Sequence, residues 1–198
     1  ILLGRFGAHG VVTGEDFTFA ARRGGNAALL RELGAAHGLA AEAVAPVALG
    51  EEPVSSSRIR RALAAGDPGT ATRLLTRPFA IRSAVQHGDK RGRELGYPTA
   101  NLALGDYQRP AYGIYAVRVR LPDGSERAGV ASLGIRPTFE PPVELLETYV
   151  FDWSGDLYGQ EIEVALHHYL RAEQRFDGLE PLIAQMQADE AEARRLLL

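Results

Sequence analysis

The densest concentration of groups able to do chemistry lies between Gly88 and Asn101, where Gly88, Gly92 and Gly96 are interleaved with Lys90, Arg91 and Arg93. Glycines let backbone N–H groups approach a phosphate, and the three cations are placed to neutralise it. No Gly-Lys-Ser/Thr triplet closes the segment, so it is not a Walker loop. Immediately after it comes Pro98-Thr99-Ala100-Asn101. On an extended strand a threonine hydroxyl and an asparagine oxygen two residues apart point to the same face. Two neutral oxygen ligands suit Mg²⁺, which keeps several waters and takes further ligands from substrate phosphates. By composition alone, a glycine-rich surface turn with solvated charges explains the stretch equally well.

The elements that must position these groups follow from the pattern on either side. From Phe79 onward the chain reads as short strands: Ala80 to Gln86, Gly113 to Leu121, Arg127 to Leu133, Leu145 to Asp152 and Glu161 to Leu170. Tyr115 to Leu121 alternates, and Leu121-Pro122-Asp123-Gly124-Ser125 supplies a hairpin turn. A helix is expected from about Leu179, with Leu182, Ile183, Met186 and Leu196 toward one side. Together these predict a mainly β C-terminal domain over residues 78–198, a small antiparallel barrel or sandwich with a C-terminal helix, the Greek-key barrel being the form that a family resemblance implies. Residues 1–77 read differently, as an incomplete α/β, Rossmann-like segment. It has a strand ending near Gly14, a helix over Asn26 to Leu39, a strand over Ala43 to Leu49, a serine-capped helix from Ser55 and a short helix over Thr70 to Leu75. The boundary is expected near Arg77-Pro78.

With 198 residues and 45% apolar content the chain can bury a substantial core. Its 22 basic and 25 acidic residues leave a net charge of −3, which argues against a nucleic-acid-binding barrel, as does the lack of an aromatic series beside the basic loop. The lack of cysteine excludes disulfides and thiolate metal sites. No leader-like or membrane-length apolar run stands out, so cytoplasm is the default, and Ile in place of Met at position 1 suggests a start further upstream. His9, His87 and the His167-His168 pair have no ligand-spaced partners and read as structural or exposed.

The stretch Gly88 to Asn101 resembles the signature of riboflavin kinases, the C-terminal module of the bifunctional FAD synthetases of bacteria. The resemblance continues in order through Gly134-Ile135-Arg136-Pro137-Thr138-Phe139, Leu146-Glu147-Thr148-Tyr149-Val150, Asp156-Leu157-Tyr158-Gly159 and Leu170 to Phe176. It implies transfer of the γ-phosphate of ATP to the 5′-hydroxyl of riboflavin, giving FMN and ADP, with Mg²⁺ as cofactor. Thr99 and Asn101 would bind metal and nucleotide, and Gly88, Gly92 and Arg93 would lie on the phosphate side. Glu147 would be the proton acceptor, with Glu144 its nearby competitor. Arg171, Gln174 and Phe176 would contact the flavin. The chain departs from the family pattern at Ser132, where many relatives have asparagine, and at Tyr149, where histidine is frequent. A flavin- or nucleotide-binding module without turnover is the alternative reading. Val11 to Phe19 and Ser57-Arg58-Ile59-Arg60 resemble later motifs of the FMN adenylyltransferase module that precedes the kinase, so the parent protein is expected also to convert FMN to FAD. That α/β segment is expected to be unstable unless more chain completes it. The substrates expected are small molecules, with no nucleic acid or membrane partner.

Overall fold

In the computed structural model, residues 1–88, 92, 96–136 and 143–198 are described. Arg93, with Lys90 and Arg91, lies outside the described residues. The chain divides into two compact units, Ile1–Val54 and Ser55–Leu198.

The first unit contains α1 (Leu2–Phe6), β1 (Gly10–Gly14), β2 (Thr18–Phe19), β3 (Gly25–Asn26), α2 (Ala27–Ala36), β4 (Ala40–Val44), β5 (Ala48–Leu49) and β6 (Glu52–Pro53). Asn26 caps α2, its side-chain oxygen accepting from Leu29 N at 2.9 Å. After α2 the chain turns at Gly38, which has a φ of 75°, and β4 runs back parallel to β1. This is a strand–helix–strand unit. The strand expected over Ala43 to Leu49 is displaced: β4 ends at Val44, and Ala48–Leu49 joins a separate short ladder with Glu52–Pro53. Pro46, which has no N–H to give a ladder, falls between the two. A two-stranded parallel sheet buries little by itself, and Val12 and Val44 are 65% and 52% exposed.

The second unit opens with two capped helices, α3 (Ser56–Ala64) and α4 (Pro68–Leu75). Ser55 Oγ accepts from Arg58 N, and Asp67 Oδ1 accepts from Thr70 N at 2.8 Å. Gly66, at φ 72°, ends the first helix. Asp67 and Pro68 already start the next, so α4 begins earlier than the expected Thr70 because proline suits a first helical turn. By sequence the division falls near Arg77-Pro78, whereas by packing α3 and α4 side with the sheet that follows: Ala62, Leu63 and Ala71 cluster with Phe79.

That sheet contains β7 (Phe79–Ala84), β8 (Thr99–Ala103), β9 (Gly113–Arg120), β10 (Glu126–Arg136), β11 (Val143–Val150) and β12 (Glu161–Arg171), in the spatial order β7-β12-β9-β10-β11-β8. Every pairing is antiparallel. β9, β10 and β11 form a meander and β12 returns beside β9, which is a Greek key. The sheet curls until its two edges meet at one bridge, where Gln86 N donates to Asn101 O at 2.8 Å. The result is a small Greek-key half-barrel.

Its inner face is filled by Leu102, Val117, Leu133, Leu146, Val164 and Leu166, all fully buried. Part of the outer face is covered by α5 (Leu179–Leu197), the C-terminal helix, whose Ala193 and Leu197 pack on Ala116, Ala128 and Phe151. Leu197 takes the buried place expected of Leu196. The shift follows from the helical stripe being set by Ala193 four residues before it.

The Asp67 cap is a testable local element. Asp67→Ala is expected to cost about 1 kcal/mol, measured by urea unfolding. The hydrogen bonds from Thr70 hold the Asp67 carboxyl below its usual range. Its contribution is therefore complete above the unfolded carboxyl's pKa and is lost as pH falls through the lower folded value, so the wild-type advantage should shrink in acid.

Candidate active site

Cross-strand register lines up the residues that matter. Asn101 on β8 pairs with Glu147 on β11, Glu147 with Ser132 on β10, Ser132 with Ile114 on β9, and Ile114 with Arg171 on β12. Directly opposed residues share a face, so these five form one transverse row on the outer side of the sheet. Arg171 reaches the row because β12 carries register shifts at Leu166/His168 and Tyr169/Arg171, which re-aim its end. The parallel row, Thr99-Tyr149-Val130-Ala116-His168, lies two residues along each strand, three on the bulged β12, and its central members pack with α5.

At one end of the row, Asn101 is 4% exposed, and its Oδ1 has no hydrogen-bond partner among the described residues. A buried amide oxygen without a partner is costly, and a bound cation would satisfy it. Gly88 lies directly over this amide: a Cβ at Gly88 would come within 2.2 Å of Asn101 Nδ2. Gly92 is close to Thr99 and Tyr97, since a Cβ there would be 3.7 Å from Thr99 Oγ1 and 2.3 Å from the carbonyl of Tyr97. Gly88, Gly92, Thr99 and Asn101 thus lie close together, with a side chain at Gly92 barred by backbone and one at Gly88 admitted only if the Asn101 amide shifts. Groups of three or more acidic, histidine or cysteine side chains able to hold a metal are absent among the described residues. The Thr99 hydroxyl and the unpartnered Asn101 oxygen are neutral oxygen donors of the kind a hard cation takes.

Beside them is a cavity of about 290 Å³, lined in part by Val85, Pro98, Ala100, Thr148, Trp153 and Tyr158. Thr99 also borders it, so the cavity adjoins the candidate donors. Thr148 Oγ1 is fully buried and, like Asn101 Oδ1, unpartnered among the described residues. His87 stacks on Tyr158, a cavity-lining residue, with ring centroids 3.9 Å apart.

Midway along the row, the Glu147 carboxylate accepts from Arg136 Nε at 2.7 Å through Oε2. The same guanidinium donates to Glu173 Oε1 and to Ser132 Oγ, each at 2.8 Å. Burial works against the Arg136 charge, and the two carboxylates more than offset it, holding the guanidinium above its usual range. Glu144, the competitor, has the opposite parity on β11 and is otherwise engaged: Arg109 Nε binds Oε2 at 3.0 Å and the Tyr112 hydroxyl donates to Oε1 at 2.7 Å.

At the far end, Arg171 forks onto the buried Asp189 of α5, with Nε to Oδ1 at 2.9 Å and Nη2 to Oδ2 at 2.6 Å, and its Nη1 donates to the Ala172 carbonyl. Gln185 donates a further hydrogen bond to Asp189. Arg171 also lies 5.9 Å from the Phe176 ring, which is half-buried, while Gln174 is exposed. The loop from Ala172 to Gly178 therefore hangs from an ion pair at its start.

Sequence reasoning assigned no role to Arg136, Glu173 or Asp189. Arg136 shares strand parity with Ser132, which put it on Glu147's face, but register between strands is needed to see this. Asp189 could have been found as the one acid inside the stripe Met186, Ala193 and Leu197.

The comparisons fit this arrangement. A family model described as riboflavin kinase matches residues 75–197, and one described as FAD synthetase matches residues 1–58. The chain belongs to the riboflavin kinase family. Among relatives of this riboflavin kinase family chain, it is 42% identical over 197 residues to the bifunctional riboflavin kinase/FMN adenylyltransferase of Pseudomonas fluorescens, covering 99% of this chain and 63% of that one. It is 40% identical to the protein of the same name from Escherichia coli K12, with 93% and 59% covered. A crystal structure described as a macrolide-efflux protein from Streptococcus pneumoniae superposes with a TM-score of 0.81 at 35% identity, over 94% of this chain and 60% of that one. The chain thus spans about three fifths of the length of these relatives. Among the described residues, no helix is long and apolar enough to cross a membrane.

Asp189→Ala would leave Arg171 half-buried without its carboxylate. The expected loss is about 3 kcal/mol, measured by chemical denaturation.

Proposed function

We propose that this chain is an ATP-dependent riboflavin kinase, transferring the γ-phosphate of ATP to the riboflavin 5′-hydroxyl to give FMN and ADP. The observation that carries the reading is the direct pairing of Asn101 with Glu147 across β8 and β11. It sets a cation-fitting oxygen beside a carboxylate on one face, the two things an in-line phosphoryl transfer to an alcohol needs.

In this reading Thr99 and Asn101 hold Mg²⁺ together with the nucleotide phosphates, and the ion when bound offsets the charge of the transferring group. Gly88 and Gly92 let backbone approach those phosphates, and Arg93 is assigned by resemblance to offset their charge. The cavity bordered by Pro98 and Ala100 takes the nucleobase, its apolar and aromatic lining suiting a flat ring. Glu147 accepts the proton that the ribityl hydroxyl loses as its oxygen bonds to the γ-phosphorus, while the bond to the β–γ bridging oxygen breaks and ADP departs. Gln174 and Phe176 meet the flavin, and Arg171 anchors their loop through Asp189.

The kinase module is taken to begin near Arg77-Pro78, close to where the family match starts, with α3 and α4 as connecting helices packed on it. The match over residues 1–58 supports adenylyl transfer to FMN by a protein carrying that module in full. A cytoplasmic setting is part of this reading.

The chain incubated with riboflavin, ATP and Mg²⁺ should form FMN and ADP in equal amounts, separable by chromatography. Flavin fluorescence quenching with no ADP release would replace the enzyme by a binding module. Glu147→Gln is expected to lower kcat by about 10²- to 10⁴-fold with ATP binding little changed, as for loss of a general base. Asn101→Ala should instead raise the Mg²⁺ concentration needed for half-maximal rate.

A further inference from the structure

We propose that Arg136 is a positioning residue for Glu147, and that Glu173 ties the loop bearing Gln174 and Phe176 to the same guanidinium. This rests on the kinase reading above. Arg136 spends its fork on three acceptors from three parts of the chain: Glu147 Oε2 on β11, Ser132 Oγ on its own strand and Glu173 Oε1 in the loop after β12. The bonds are 2.7 to 2.8 Å, and the Arg136 side chain is only 18% exposed, so solvent screens the cluster weakly. Fixing Oε2 presents Oε1 to an incoming hydroxyl. Without the guanidinium, two carboxylates would stand close together beside the place an anionic nucleotide must enter, and both would turn away.

The loop's seat is built as closely as the base's. A Cβ at Gly134 would lie 2.3 Å from Glu173 Oε1 and 2.4 Å from Oε2, so the absence of a side chain there is what lets the Glu173 carboxylate reach Arg136. Lysine could not replace this arrangement: it carries the charge but lacks the planar fork that serves three acceptors at once. Ser132 acts as the third support by fixing the far edge of the guanidinium.

Steady-state kinetics of the purified chain test the role. Arg136→Lys should lower kcat by about 10- to 100-fold, the scale of a misplaced reacting group, with the ATP KM changed by less than about twofold. Because Arg136 acts through Glu147, the double variant Arg136→Lys/Glu147→Gln should be no slower than Glu147→Gln alone, within about twofold. Ser132→Ala should lower kcat by about threefold with the same lack of additivity in the Glu147→Gln background. Glu173→Gln should raise the riboflavin KM by about threefold or more while leaving the ATP KM in place.

Multiplicative losses in the double variants, or wild-type kcat in both single variants, would overturn the positioning role. An unchanged riboflavin KM in Glu173→Gln would overturn the loop tie. If Arg136→Lys does not fold, as judged by circular dichroism, Ser132→Ala and its double variant decide. A wild-type chain forming no FMN overturns the kinase reading and this role with it; an active wild type with additive losses overturns this role alone.

Discussion

Asn101 faces Glu147 because both sides of the curled sheet are already committed. Inward positions such as Leu102 and Leu146 form the fully buried core, so a one-residue slip between β8 and β11 would turn leucines to the surface and the polar pair into the interior. The cost of exposing that apolar surface, about 1.5 to 3 kcal/mol for each large side chain, pins the ladder. The alternation that builds the core thereby sets the polar row on the other face.

The same outer face is shared between packing and chemistry, and α5 draws the line between them. It covers the row containing Val130, Ala116 and Tyr149. The neighbouring row, with Asn101, Glu147 and Ser132, lies outside that hydrophobic cluster. Two anchors hold the helix there: Arg171 on Asp189 near its middle, and Arg194 near its end, which binds Asp152 and lies 4.3 Å from the Phe151 ring. Aromatic contacts continue from Phe151 to Tyr149 and from Tyr149 to Tyr97, just before the Pro98-Thr99 step. Burial and the nearby Glu190 carboxylate push both tyrosine hydroxyls up, so they remain neutral packing groups. Tyr149 thus links the helix to the strand that bears the candidate metal donors.

Much of this was legible in the sequence, for identifiable reasons. Period-two alternation gives the strands, and a threonine and asparagine two apart on a strand must share a face whatever the tertiary structure. Glu147 is different: its identity as a carboxylate says nothing about its surroundings, and only resemblance singled it out. Arg136 and Glu173 are far apart in sequence and meet through strand register and the path of a loop, neither of which a local pattern carries. Asp189 sits within an otherwise apolar stripe, where its burial depends on Arg171 arriving from β12. Pro46, by contrast, was a local signal that the strand expected through it could not continue.

The hairpin between β9 and β10 closes at Leu121–Ser125, with Gly124 at φ 84° and Leu121 paired to Ser125. The transverse row crosses these strands at Ile114 and Ser132, near their other ends. At about 3.3 Å per residue the turn is some 20 Å away along the ladder. A fluorophore or a surface tether attached at Asp123 would therefore let the molecule be immobilised or tracked from the pole opposite its polar row.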